Sequence, residues 1–318
     1  MKSARIKGYG STSDVIEIDQ NTPAPNDPTD GKVLVKVKAA GVNPTDWKIS
    51  EGYMQQIMPL EFPATLGWDF SGIVEKAGAG VSDIKQGDEV YGQSSVVMGG
   101  SGTFAEMALA NADNIARKPI TLSHEEAAGL PTVGVSAWQA LVDIIGLSKG
   151  QKILIHGGAG GVGSIAIPLA KYIGAYVATT VSGKDKQFAK EEIGADEIID
   201  YKTQTFEDVL SSHDYDAVLD TVGGETYSRS FKILKRGGTG IIVSTLEQPN
   251  QELMEKFDVK AIFVFSQVNR ERLTKLAQWV DQNNVRVNVD KMFPLDDAAK
   301  ALEYQKDGHP RGKVVLAI

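Results

Sequence analysis

The stretch that most constrains this chain is Lys152-Ile-Leu-Ile-His-Gly-Gly-Ala-Gly-Gly-Val-Gly-Ser-Ile-Ala-Ile-Pro-Leu-Ala-Lys171. Ile153, Leu154 and Ile155 form a short apolar run before the glycines, the pattern of a strand buried on both faces. Gly158, Gly160 and Gly163 fit G-x-G-x-x-G. Beyond them Ile165, Ala166, Leu169, Ala170 and Ile173 recur at helical spacing, and Gly174 stands where a helix ends. Strand, glycine turn and helix together give the motif its meaning. The first glycine permits the sharp turn, the second lets the backbone approach a pyrophosphate, and the third lets helix and strand pack closely. The helix N-terminus then offers unpaired N–H groups to phosphate. A glycine-rich loop without a ligand is the plain alternative.

At 318 residues the chain is long enough for two domains. The net charge of −8 and the lack of a Lys/Arg block argue against a nucleic-acid surface. No apolar run reaches the ~18 residues of a membrane span. Met1 to Lys7 leads into a strand without a signal-peptide core, and there is no cysteine, so the expectation is a cytoplasmic protein without disulfides, thiolate zinc sites or a cysteine nucleophile.

Residues 4 to 121 read as short strands separated by turns: Val33 to Lys38, Phe70 to Lys76, Glu89 to Tyr91 and Thr103 to Ala108. Frequent glycine without a long helical period suggests a small, partly open β-barrel. Asn43 to Gly52 reads as a polar loop, Tyr53 to Pro63 as a flexible apolar lip that sets substrate size, and Gly99 to Gly102 as a hinge or turn. From Leu122 the texture changes. Ser123-His-Glu-Glu126 predicts a helix start broken at Leu130-Pro131, and Val133 to Ile145 is apolar at helical spacing. After the fingerprint, strands at Tyr176–Val181, Glu197–Asp200, Ala217–Asp220, Gly240–Val243 and Ala261–Phe265 alternate with helices at Lys184–Ile193, Phe206–Leu210, Thr226–Leu234 and Arg270–Asn283. Such alternation predicts a parallel sheet. The terminal Gly312 to Leu316 predicts a strand that rejoins the first domain.

Taken together, Ala40-Gly-Val-Asn-Pro-Thr-Asp46, Leu66-Gly-Trp-Asp-Phe-Ser-Gly-Ile-Val74, Gly87-Asp-Glu-Val-Tyr-Gly92, Ala128-Gly-Leu-Pro131, the fingerprint and Gly312-Lys-Val-Val-Leu316 resemble the medium-chain dehydrogenase/reductase superfamily. The likeness is to its zinc-free quinone oxidoreductase and enone reductase branch. It implies an α/β fold: a GroES-like β-barrel-type catalytic domain at 1–124 and 267–318, and a Rossmann doubly wound parallel sheet at 125–266, with a cleft between them. It also implies a homodimer formed near Ala261 to Phe265. Where zinc-dependent members carry a cysteine and a His-Glu pair, this chain has Asn43, Trp68 and Asp69. Its four histidines, His124, His156, His213 and His309, lack metal-ligand spacing. The expected metal set is therefore empty, and alcohol oxidation, which leans on a Lewis acid, is disfavoured.

The cofactor expected is NADPH. An NAD site shows an acid about 20 residues past the fingerprint, but here Thr179 to Lys186 supplies Ser182, Gly183 and two lysines. Asp185 could partly neutralise that pocket. By the resemblance, Ser182, Gly183, Lys186 and Tyr201 line the 2′-phosphate site, and Asn43 lies near the nicotinamide. The cofactor-binding set is completed by Lys48, Ser136, Gly158, Gly160, Gly161, Val162, Gly163, Val222, Ser244 and Val264. Lys48 matches a position that is usually aromatic. Asn43 and Tyr53 are the catalytic candidates. Tyr53 either donates a proton or lines the pocket, and solvent is a further proton source. His156 reads as a structural histidine under the turn more readily than as a proton carrier. The function expected is hydride transfer from NADPH to a small electrophile, a quinone or an α,β-unsaturated carbonyl compound. A non-catalytic NADPH-binding or sensor protein is the alternative from another class, and an alcohol dehydrogenase is a third.

Overall fold

One long strand, Lys32–Val42, is the spine on which the N-terminal half is assembled. Along one edge it pairs antiparallel with Asp69–Ala77. Its other edge is shared by two strands: Met107–Asn111 takes Lys32 to Lys36, and the C-terminal Lys313–Ala317 takes Ala39 to Val42. Register shifts between Leu34 and Val35 and between Val37 and Ala39 bend the strand where this division falls. Val33, Val35 and Val37 alternate inward and pack on Phe70, Val74, Val90 and Ile115, the two-residue period expected of a half-buried strand. The structure, a computed structural model, describes residues 1–210 and 213–318. The chain divides into two units, Met1–Thr132 with Val268–Ile318, and Val133–Gln267.

In the second unit six parallel strands lie in the order Glu197–Asp200, Tyr176–Val181, Lys152–His156, Ala217–Asp220, Ile241–Ser244, Lys260–Phe263. In chain order that is third, second, first, fourth, fifth, sixth, the doubly wound dinucleotide-binding arrangement. Strand order reverses beside Lys152–His156, so the crevice at the carboxyl ends opens there. Ile153, Leu154 and Ile155 are fully buried, which explains their unbroken apolar run.

Several elements differ from their sequence reading. Asn43 to Gly52 is not a loop: Pro44–Ser50 is a helix. It has no apolar stripe, but its first turn is well specified, with Pro44 at the start and the Asp46 carboxyl oxygen accepting the Asn43 N–H at 2.7 Å. The strand read at Thr103 to Ala108 begins only at Met107, because the Thr103 and Phe104 N–H groups are drawn to Leu66 O instead. Lys184 to Ile193 is a 3₁₀ turn at Gly183–Asp185 followed by a π-helical segment at Phe188–Glu192. Val133 to Ile145 is likewise split, into an α-helix Pro131–Trp138 and a π-helical segment Gln139–Ile144. The helices Gln251–Phe257 and Ala298–Asp307 and the strand Val289–Pro294 had no sequence counterpart.

Residues 125–132, read as the start of the second domain, belong to the first unit. His124 Nδ1 lies 2.8 Å from Ser71 Oγ, and Thr132 bonds Asp69 through both its N–H and its hydroxyl. The helix Arg270–Asn283 is held to the same unit by Arg270, which bonds Ala112 O, and by the fully buried Tyr91, whose hydroxyl donates to Leu273 O at 2.6 Å. Tyr91→Phe removes that bond and leaves Leu273 O with its helical partner alone. It is expected to lower stability by roughly 0.5–1.5 kcal/mol, read from the shift in denaturation midpoint.

Candidate functional site

The fingerprint turn follows Lys152–His156 and opens the helix Gly161–Ile173. Gly157, just ahead of the motif, takes the left-handed turn at φ +71°, a role the sequence reading gave to Gly158. At Gly158 a Cβ would stand 2.1 Å from Thr179 Oγ1 on the neighbouring strand, and at Gly163 it would stand 2.4 Å from Gly157 O. Both absences let the helix start sit against the sheet. Gly160 is the N-cap and supplies no side-chain acceptor. The first-turn N–H groups of Gly161, Val162 and Gly163 thus remain for an anion, and the helix dipole favours one.

His156 lies beneath this turn, fully buried. Ser230 Oγ donates to Thr226 O at 2.6 Å, so it accepts from His156 Nε2 at 2.9 Å. Thr180 Oγ1 takes the Gly157 N–H at 3.3 Å and donates to His156 Nδ1 at 3.0 Å. Burial, with a smaller push from Arg229, lowers the imidazole pKa to about 3. His156 is therefore a neutral strut, as its sequence reading has it.

The next strand end is organised by Asp220, also fully buried. Its carboxylate accepts from the Val222 and Gly223 N–H groups at 3.1 and 3.0 Å and from Ser244 Oγ at 2.8 Å. Ser244 Oγ in turn accepts the N–H groups of Leu246 and Glu247. The network holds Val222 with half its surface exposed, while Ser244 is buried and committed to Asp220. Val264 is also buried, with its N–H on Ser244 O, and its neighbour Phe265 is the exposed side chain. Ser136 is buried in the helix Pro131–Trp138. Asp220 was legible only as a strand-end residue, and its scaffolding role had no sequence signal.

Ser182, Gly183, Lys186 and Tyr201 do converge. Lys186 Nζ lies 3.4 Å from Asp200 Oδ2, Tyr201 is exposed, and a Cβ on Gly183 would stand 2.8 Å from the same Asp200 oxygen. Ser182 Oγ donates to Asp185 Oδ2 at 2.5 Å. Asp200 is the residue the sequence reading missed. The Lys202 N–H, and then the Lys186 charge, hold its carboxyl below the usual range.

In the first unit Asn43 and Tyr53 lie at opposite ends of the helix Pro44–Ser50. Tyr53 is 73% exposed and meets the Trp47 ring edge-on at 5.9 Å. Lys48 Nζ sits 5.6 Å from the centre of that ring. Asn43 is buried in a polar cluster. Its Nδ2 donates to Asp69 Oδ2 at 3.0 Å, and its Oδ1 accepts from Lys313 Nζ at 2.5 Å. Asp69 also accepts from Gln93 Nε2, Thr132 Oγ1 and Thr132 N. Asp46 completes the group. Burial above all, with a push from Asp69, raises its pKa to about 8 against the pull of the Asn43 N–H and Lys313. A groove of about 670 Å³ in this unit is walled by Ile57 to Glu61, Pro63 to Thr65, and Val96, Val97 and Ser101, and none of Asn43, Lys48 or Tyr53 lines it.

Residues 29–120 match the family described as alcohol dehydrogenase GroES-like domain, and residues 193–316 the family described as zinc-binding dehydrogenase. The mouse mitochondrial NAD(P)H oxidoreductase RTN4IP1 is 33% identical, over 98% of this chain and 88% of that protein. The tomato 2-methylene-furan-3-one reductase is 35% identical, over 99% of this chain and 79% of that protein. Among solved structures, a quinone oxidoreductase from Coxiella burnetii superposes with a TM-score of 0.89 at 34% identity, covering 100% of this chain and 99% of that one. The Escherichia coli quinone oxidoreductase complexed with NADPH superposes with a TM-score of 0.86 at 27% identity, covering all of both chains. The chain belongs to the medium-chain dehydrogenase/reductase superfamily. Within it, the chain is an oxidoreductase of the quinone oxidoreductase and enone reductase branch, with the GroES-like and Rossmann folds that its motifs imply.

Asn43 and Asp69 bond each other, and an ammonium already stands among them. Among the described residues no group of three or more His, Asp or Glu side chains is placed to hold a metal ion.

Two outcomes follow. Gly163→Ala forces a Cβ onto Gly157 O and is expected to cost roughly 1–3 kcal/mol of stability and to weaken dinucleotide binding, read by denaturation midpoint and by nicotinamide fluorescence titration. Asp46, with a folded pKa of about 8 against an ordinary aspartate value of 3.8, holds a proton that the unfolded chain releases. Stability should therefore fall as pH rises between those two values. Asp46→Asn should flatten that slope in denaturation midpoints taken across the range; an unchanged slope would contradict the assignment.

Proposed function

We propose that this oxidoreductase uses NADPH to reduce quinones or α,β-unsaturated carbonyl compounds, and that it does so without zinc. The observation that carries the reading is the end of the strand Tyr176–Val181. The strand end itself carries no acid to bind a ribose diol; Ser182 and Gly183 stand there, with the half-exposed Lys186 ammonium beside them. The NADPH complex of a quinone oxidoreductase of the same fold supports the cofactor, and the reductase names of the relatives support the substrate class.

NADPH supplies the hydride; the chain's residues hold and orient its parts. The N–H groups of Gly161, Val162 and Gly163 take the pyrophosphate. Ser182, Lys186 and Tyr201 take the 2′-phosphate, with Lys186 exchanging Asp200 for the stronger anion. Val222 and Ser244, fixed by Asp220, border the nicotinamide ribose, and Val264 gives an apolar backing. Asn43 offers an amide N–H to the substrate oxygen on which charge accumulates. Tyr53, largely exposed, lines the approach. Two copies pair through Lys260–Phe263, which ends the described sheet and carries the partly exposed Ile262.

The reading is tested by nicotinamide absorbance against a benzoquinone, a naphthoquinone, an enal and a cyclic enone, each with NADPH and NADH. Turnover with NADPH on at least one electrophile is expected. NADPH bound with no turnover on any of them would make the chain a binding protein instead. Lys186→Ala should raise KM for NADPH about tenfold and leave NADH little changed, as loss of a charge-assisted phosphate contact does.

A further inference from the structure

Asn43 is held between a carboxyl and an amine that come from distant parts of the sequence. Lys313, in the C-terminal strand, is 3% exposed, and its ammonium donates to Val42 O at 2.9 Å and to Asn43 Oδ1. Asp69, fully buried, accepts the Asn43 Nδ2–H. An ammonium can only donate and a carboxylate can only accept. Turning the amide over would set its oxygen against the carboxylate and its NH₂ against the ammonium. The partners therefore permit one orientation. They are themselves pinned: Gln93 and Thr132 occupy the other lone pairs of Asp69, and the lysine stem packs against Gly129, where a Cβ would stand 3.3 Å from Lys313 Cβ and Cγ. Burial lowers the Lys313 pKa from its ordinary value, while Asp69 and Asp46 pull it back up. Those two carboxyls, on the strand Asp69–Ala77 and the helix Pro44–Ser50, are the titratable groups that face it.

We propose that Lys313 is a positioning residue: with Asp69 opposite, its ammonium locks the Asn43 amide in one orientation and leaves the second amide N–H for a ligand's oxygen. Asn43 Nδ2 makes a single hydrogen bond among the described residues, so its second N–H is left uncommitted. The fixed ammonium also supplies the positive charge of the cluster without a metal ion. The inference rests on the reading of Asn43 as the donor to substrate oxygen, and its test separates the two.

The protein is labelled with ¹⁵N at asparagine, and the Asn43 side-chain amide is assigned by its loss in Asn43→Ser. In the native chain two resolved amide protons protected from exchange are expected. Lys313→Met, which keeps the stem and removes the charge, should abolish that protection. It should also lower kcat about tenfold or more while KM changes little, the pattern of lost orientation. A locked amide in Lys313→Met would overturn the proposal whatever the activity. A lost lock with unchanged kcat would overturn the link from lock to chemistry. A lost lock in a chain whose native form turns over no substrate would uphold the positioning role and sink the reductase reading alone. Should Lys313→Met not fold, the native chain answers by titration. The Asn43 amide shift should move in one step as Lys313 deprotonates below the ordinary lysine value of 10.5, and a shift flat through that range would overturn the proposal.

Discussion

The carboxylate of Asp69 is the interaction on which the first unit depends. It has no solvent contact, and four donors from three segments converge on it: Asn43, Gln93 and Thr132 through both backbone and side chain. A buried carboxylate is tolerable only when its lone pairs are filled and a counter-charge is close, and Lys313 provides the counter-charge through the shared Asn43 amide. Those donors lie on the start of one helix, the end of one strand and the start of another helix. Saturating one carboxylate therefore fixes three loops at once. It also fixes where the first unit ends, since Thr132 is the last residue before the division of the chain.

The second unit uses the same device at its own strand ends. Asp220 gathers two backbone N–H groups and Ser244, and His156 spans Thr180 and Ser230. In each case a fully buried polar side chain at the carboxyl end of a parallel strand is spent on shaping the adjacent turn. The exposed surface left to a ligand is mostly backbone N–H, glycine and apolar side chain. That suits a dinucleotide, whose phosphates want N–H donors and whose nicotinamide wants an apolar, water-poor wall. The cofactor carries the chemistry in such a site, and the protein carries geometry.

Much of this was legible in the sequence because it rests on local pattern. The fingerprint, the strands around it and the helix Arg270–Asn283 follow from apolar period and glycine placement, and the C-terminal strand does rejoin the first unit. What escaped depends on distant partners. Pro44–Ser50 lacks an amphipathic stripe, so only its capping chemistry marked it as a helix. Lys313 reads in sequence as one more polar residue before an apolar run, yet it is buried and bonded to residues about 270 positions away. Asp200 stands beside Ser182 and Lys186 only because two parallel strands end side by side. Asp46 shows no sequence sign of its raised pKa, which comes from burial near Asp69.

The central claim is that hydride transfer here runs on a lysine-centred polar cluster and a bound dinucleotide, with no metal ion. The most direct test is steady-state NADPH turnover with a cyclic enone or a quinone, using protein dialysed against a strong chelator and with its metal content measured. Turnover undiminished in metal-free protein, and unresponsive to added zinc, is the result this account predicts. Activity lost on chelation and restored by stoichiometric zinc would contradict it.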